Sequence, residues 1–200
     1  MSSHRILLIG AKGQLGETFS KHFMDSSLSQ RYELIRIDIK ELNFLYKDVI
    51  PKKLSGLAPS VIVNCAAYTD VDKAEQEFEL AKNINDDAVS IIAKWASQNQ
   101  CRLVHISTDY VFDGKDGPYD ESSTTNPISV YGASKLKADE YIIKNKSHYT
   151  ILRANVLYDY HKKTNASFLK WVIESLQPVS YTHLRAHETR EDRVCRVGRG

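Results

Sequence analysis

Cysteine is scarce in this 200-residue chain. Its three copies, Cys65, Cys101 and Cys195, give neither a disulfide framework nor paired zinc-ligand spacing. Cys65 and Cys101 fall in runs that read as buried strands, so reduced core thiols are expected. Long apolar runs are missing as well. None approaches the roughly 20 residues that span a bilayer, and Ile6–Ile9 is too short for a signal-peptide core before its glycine turn. A cytoplasmic location is the default expectation. Internal repeats and low-complexity tracts are absent, and the apolar content and length suit one globular domain.

Net charge is lacking too, once the end of the chain is set aside. The stretch Val179-Ser-Tyr-Thr-His-Leu-Arg-Ala-His-Glu-Thr189 reads like the translation of a transposase-based sequencing-library adapter, so residues 179–200 are expected to be a non-native tail. That tail holds five of the 27 basic residues and three of the 25 acidic ones, leaving 22 of each. The remainder is formally neutral. Its charge therefore points to neither nucleic acid nor a membrane surface as partner. His183 and His187 sit at a metal-like i,i+4 spacing, but they belong to the tail, and no metal site is expected.

What is present begins with Arg5-Ile-Leu-Leu-Ile-Gly10-Ala-Lys-Gly13-Gln-Leu-Gly16. A short apolar run typical of a buried parallel strand meets three glycines and then an amphipathic segment, Glu17 to Met24. Strand, turn and helix in that order make a dinucleotide site. Glycines let the main chain approach a pyrophosphate, and the helix start favours its negative charge. Gly13, Gln14 and Leu15 would make that contact. Asp38 closes the next strand, Tyr32 to Asp38, about twenty positions on, where a carboxylate meets the adenosine ribose. Lys12, Arg36 and Lys40 could offset its repulsion of a 2′-phosphate, so NADPH and NADH both stay open.

The second informative stretch is Tyr131-Gly-Ala-Ser-Lys135, preceded by Ser107-Thr108-Asp109. On a helix, Tyr131 and Lys135 share one face, so the ammonium is expected to lower the phenol's pKa and make it a usable acid. A hydroxyl from Thr108 completes a reductase site. Between these stretches the pattern predicts a helix near Phe44 to Leu54 and a strand Val61–Asn64 that runs into Cys65-Ala66-Ala67-Tyr68. It also predicts a long crossover helix from Glu79 to Gln98 and a strand Arg102–Ser107. Ala66 and Ala67 would let a dinucleotide approach, with Tyr68 beside it, and His105 reads as a satisfied core histidine. The loop from Asp113 to Pro127 is long enough to border the site. A strand Tyr149–Arg153 and a helix Ala166–Leu176 follow. The fold class is α/β, a doubly wound parallel sheet of Rossmann type.

These phrases, with Val61-Ile-Val-Asn-Cys-Ala-Ala-Tyr-Thr-Asp-Val-Asp-Lys-Ala-Glu75 and Ser107-Thr-Asp-Tyr-Val-Phe-Asp-Gly114, resemble the extended short-chain dehydrogenase/reductases, and closely the dTDP-4-dehydrorhamnose reductase family, over about residues 5–178. The resemblance implies a cofactor, NADPH or NADH, and reduction of the C4 ketone of a dTDP-6-deoxy-4-ketohexose. It implies that Tyr131 protonates the alkoxide, that Lys135 binds the nicotinamide ribose and keeps Tyr131 acidic, and that Thr108 bonds the carbonyl oxygen. Gly10, Gly13, Gln14, Leu15, Gly16, Asp38, Ala66, Ala67 and Tyr68 would hold the cofactor. Asn43 and Phe44 match the adenine-side pair, although an aspartate usually precedes the aromatic. Related dehydratases carry a glutamate after Thr-Asp, where Tyr110 stands here, which weakens a dehydratase reading; another sugar-nucleotide epimerase or dehydratase remains an alternative. Similar folds also serve as non-catalytic subunits, such as the methionine adenosyltransferase β-subunit.

Family members continue about a hundred residues further in the resemblance. Residues 1–178 are therefore expected to form the NAD(P)-binding domain with the start of a substrate region, inactive by itself. A homodimer of the full-length protein stays open.

Overall fold

A computed structural model of the chain describes residues 4–145 and 148–155. Five strands, β1 His4–Ile9, β2 Tyr32–Ile37, β3 Val61–Asn64, β4 Arg102–Thr108 and β5 Tyr149–Ala154, form one sheet in the order β2-β1-β3-β4-β5. Every pairing is parallel. Parallel neighbours need crossovers, and helices provide them: α1 Gln14–Met24, α2 Val49–Leu57, α3 Val71–Ala74, α4 Phe78–Lys82, α5 Ala88–Gln98 and α6 Val130–Lys144. The expected α/β doubly wound architecture is the one observed.

Alternation along the strands divides the core between two layers. Leu7 and Ile9 of β1 turn to a large cluster with Leu54, Ile92, Trp95 and Ile142, from α2, α5 and α6. Ile6 and Leu8 turn the other way, to Phe19 and Phe23 of α1. Both faces are thus covered, as an all-parallel sheet requires. The strand order reverses between β1 and β3, which opens a crevice at the carboxyl ends of these strands.

Two expected helices differ in the structure. The segment placed at Phe44 to Leu54 stays in turns until α2 begins at Val49, because Asn43 accepts the Leu45 N–H through its side chain and the Tyr46 N–H through its carbonyl. Such local bonds compete with the helix ladder. Pro51 then falls in the first turn, where its missing N–H costs nothing. The long crossover helix is not continuous either. A π-helical turn, Asn83–Asp87, joins α4 to α5. Its Asn85 is fully buried, accepting from the Tyr68 N–H at 2.9 Å and donating to the Tyr68 carbonyl at 3.0 Å and to Ser134 Oγ at 3.1 Å. Widening the turn turns one polar side chain inward to tie the β3 exit to α6. The predicted helix Ala166–Leu176 and the boundary at residue 178 lie outside the described residues.

Helix α6 starts where Ser129 caps it, accepting the Gly132 N–H at 3.1 Å, while Glu75 accepts the Val130 N–H at 3.0 Å. Gly132 sits against the Asp109–Val111 turn that follows β4. A Cβ there would lie 2.2 Å from the Tyr110 carbonyl oxygen. Gly56 on exposed α2 meets nothing within 4 Å. Gly132→Ala should therefore lose about 2 kcal/mol or more of unfolding free energy. Gly56→Ala should gain up to about 1 kcal/mol from helix propensity. Urea denaturation of both variants checks this, and equal effects would contradict the packing described.

Candidate active site

The glycine turn is built for close approach. Gly10 has φ +77°, and a Cβ on it would stand 2.7 Å from the Ala66 nitrogen; one on Gly16 would stand 2.2 Å from the Gly10 oxygen. Both glycines therefore shape the turn from beneath. Gly13 is the N-cap of α1 and offers no side-chain cap. The helix start is presented, with its dipole, to an open cleft of about 800 Å³. Gly13, Gln14, Leu15, Ala67, Thr108, Tyr131 and Lys135, all expected at the site, line that one cleft. This glycine cradle and uncapped helix start fit a dinucleotide pyrophosphate.

Asp38 follows β2, and its carboxylate accepts the Ile39 N–H at 2.7 Å and the Lys12 N–H at 3.2 Å. Four other expected cofactor contacts are arranged differently. The Phe44 ring lies in the main core beside Leu42 and Ile37, so it packs the sheet and does not face the cleft. Tyr68 turns its hydroxyl to Glu77 at 2.6 Å, and that bond drives the phenol up to about 12. Ala66 sits behind the lining, its N–H given to Asn64 Oδ1 at 3.2 Å. Asn43 serves the turn before α2.

Tyr131 stands in the first turn of α6, edge-on to Tyr110 with ring centroids 5.7 Å apart. The expectation that Lys135 acidifies it is corrected by the structure. Burial is the largest influence and raises the phenol above its ordinary value. A hydrogen bond with Thr108 opposes this, and the neighbouring Asp109 and Tyr110 raise it further. Tyr131 therefore holds its proton. A phenol remains a competent acid toward an alkoxide, which is a far stronger base. The Thr108 hydroxyl reaches Asp109 Oδ1 at 3.2 Å and accepts the Tyr110 N–H at 3.2 Å. Asp109 is itself raised by burial.

Lys135 is 1 % exposed, the largest fully buried side chain among the described residues. Its Nζ donates to the Ile106 carbonyl at 2.6 Å and meets His105 Nε2 at 3.2 Å. Burial brings it down to about 8, against the opposing charge of Asp139 one turn further along α6. Asp139 accepts from Ser107 Oγ at 2.8 Å and from Arg153 Nε at 3.3 Å. Asn64, His105, Asp139 and Arg153 were not singled out as functional from the sequence. For Asn64 on β3 and His105 on β4 the signal is a polar side chain at a buried strand position, as Ser107 also shows.

The family model described as the RmlD substrate binding domain matches residues 4–185. The chain belongs to that family. The match runs past the boundary expected at residue 178. Among curated relatives, the dTDP-4-dehydrorhamnose reductase of Aggregatibacter actinomycetemcomitans is 38% identical over 152 residues, covering 76% of this chain and 51% of that protein. Methionine adenosyltransferase 2 subunit beta of Danio rerio is 34% identical, covering 86% of this chain and 54% of that protein. A crystal structure of dTDP-4-dehydrorhamnose reductase from Bacillus anthracis in complex with NADP superposes with TM-score 0.76 at 33% identity, over 88% of this chain and 60% of that one. The chain spans about half the length of the curated relatives it matches. Among the described residues no helix is long and apolar enough to cross a membrane.

The buried ammonium has a thermodynamic consequence. Between about 8 and the ordinary lysine value of 10.5, the unfolded chain binds the Lys135 proton more tightly than the folded chain does. The burial penalty is fully present below that window, and stability rises as pH climbs through it. The unfolding free energy of the parent protein minus that of Lys135→Met should thus increase by about 2 kcal/mol from about pH 8 to about pH 10. A pH-independent difference in urea titrations would show that Lys135 is not desolvated.

Proposed function

We propose that this chain carries the cofactor-facing half of an NAD(P)H-dependent reductase acting on the C4 ketone of a dTDP-6-deoxy-4-ketohexose, in the sense dTDP-4-dehydrorhamnose to dTDP-L-rhamnose. The observation that carries this reading is the convergence of Thr108, Tyr131 and Lys135 on the one cleft that Gly13, Gln14 and Leu15 also line. The relatives named above support the substrate class.

The pyrophosphate would rest on Gly13–Leu15, with Asp38 toward the ribose and Lys135 toward the nicotinamide end. Bound there, NADPH or NADH supplies the hydride. Thr108 and Tyr131 orient the carbonyl oxygen, and the Tyr131 phenol gives its proton to that oxygen as it becomes an alkoxide. The raised phenol suits this direction of reaction, because the donor must enter the step protonated. Tyr110 stands where the related dehydratases place a glutamate, so no carboxylic acid follows Asp109 to drive elimination.

A non-catalytic, dinucleotide-binding role is the second reading, favoured by relatives named as methionine adenosyltransferase 2 subunit beta at 30–34% identity. The two readings part on turnover. The complete enzyme that contains this chain should oxidise NADPH or NADH in the presence of dTDP-4-dehydrorhamnose, and Tyr131→Phe in it should lower kcat by about 10²-fold or more with little change in cofactor affinity. Tight cofactor binding without turnover on any 4-ketosugar nucleotide would select the binding role. Undiminished activity in Tyr131→Phe would remove the phenol from the reaction.

A further inference from the structure

The reductase reading gives Lys135 a role but says nothing of what governs its charge, and the buried groups around it do not allow that charge to change alone. β3 and β4 pair so that Asn64 lies directly beside His105. Asn64 Oδ1 accepts the Ala66 N–H, which fixes the amide and leaves Nδ2 pointing at His105 Nδ1, 3.2 Å away. An NH₂ group can only donate. Nδ1 must accept, so the proton of the neutral imidazole is on Nε2, and Nε2 faces Lys135 Nζ. The N–H needs a lone pair there, which an amine has and an ammonium lacks. His105 is fully buried and its charged form is strongly disfavoured, so the ring stays neutral.

We propose that Asn64 and His105 are positioning residues forming a relay that couples the charge on Lys135 to the Ala66 amide at the back of the dinucleotide turn. With Lys135 as an amine the chain closes: Ala66 N–H to Asn64, Asn64 to His105 Nδ1, His105 Nε2–H to Lys135, and Lys135 to the Ile106 carbonyl. Uptake of one proton from solvent reverses it. The imidazole gives its Nε2 proton to the amine and ends, still neutral, with one proton on Nδ1; the Asn64 amide turns its oxygen to that N–H and releases the Ala66 N–H. Ala66 lies where a Cβ on Gly10 would collide, so the released donor stands beneath the glycine turn. The charged or titratable groups facing Lys135 are His105 on β4, Cys65 at the exit of β3 and Asp139 on α6, with Arg153 of β5 behind Asp139. The midpoint of about 8 places the exchange within reach of ordinary conditions.

This inference rests on the reductase reading only for the importance of Lys135, and its test needs no turnover. In the intact protein labelled with ¹⁵N-histidine, the His105 ring should be the Nε2–H tautomer above about pH 9 and the Nδ1–H tautomer below about pH 7, never charged. The Ala66 amide resonance should move with the same midpoint. In His105→Gln the side-chain oxygen can accept from the ammonium directly, so the Lys135 midpoint, followed by ¹³C at Cε, should rise by about one pH unit. One tautomer throughout, an Ala66 amide that ignores the titration, or an unmoved lysine midpoint in the variant would overturn the relay. If His105→Gln does not fold, the parent's tautomer record decides the matter. Failure of the complete enzyme to oxidise NADPH would sink the reductase reading and leave these resonances unchanged.

Discussion

A buried lysine is the constraint around which this structure is arranged. Lys135 reaches from α6 into the sheet and finds the Ile106 carbonyl, the His105 ring and, one turn away, the Asp139 carboxylate. An isolated charge in that position would be prohibitively costly, so each of these groups is part of what makes the position tolerable. Asp139 in turn needs Ser107 and Arg153. His105, Ser107 and Arg153 thus follow from one lysine.

The same logic explains why α6 is held so tightly. Its first turn carries Tyr131, its second Lys135, and its register against the sheet is set by contacts with three neighbouring segments. Gly132 lets the Tyr110 carbonyl approach, Ser134 receives Asn85 from the π-helical turn, and Glu75 caps Val130 from the β3 side. The Arg153 guanidinium also lies over the Phe112 ring at 5.4 Å, and Phe112 stacks on Tyr119 of the loop that follows it. A displacement of α6 would break several of these at once. That is the physical basis for a reacting pair held in fixed geometry.

Much of this was legible in the residues. The five strands, the glycine turn and the pairing of Tyr131 with Lys135 on one helix face are local patterns, and β1, β3 and β4 appear almost where the apolar runs place them. Less legible was anything that depends on a distant partner. Phe44 belongs to an adenine-side motif in the sequence, yet its ring is buried in the main core cluster. The crossover helix shows unbroken helical periodicity, but Asn85 could be turned inward only because Tyr68 and Ser134 wait 17 and 49 residues away.

The sequence by itself determined the Rossmann-type order of elements, the family, and the residue types at the cleft, because period, glycine spacing and i,i+4 neighbours are properties of short segments. Tertiary structure alone decided the electrostatics. The direction of the Tyr131 shift follows from burial beside Asp109 and Tyr110, not from its lysine. His105 becomes a partner of Lys135 because parallel pairing sets it against Asn64 and packing lays α6 over both. Charges and donors act through space, and only the folded chain fixes those distances.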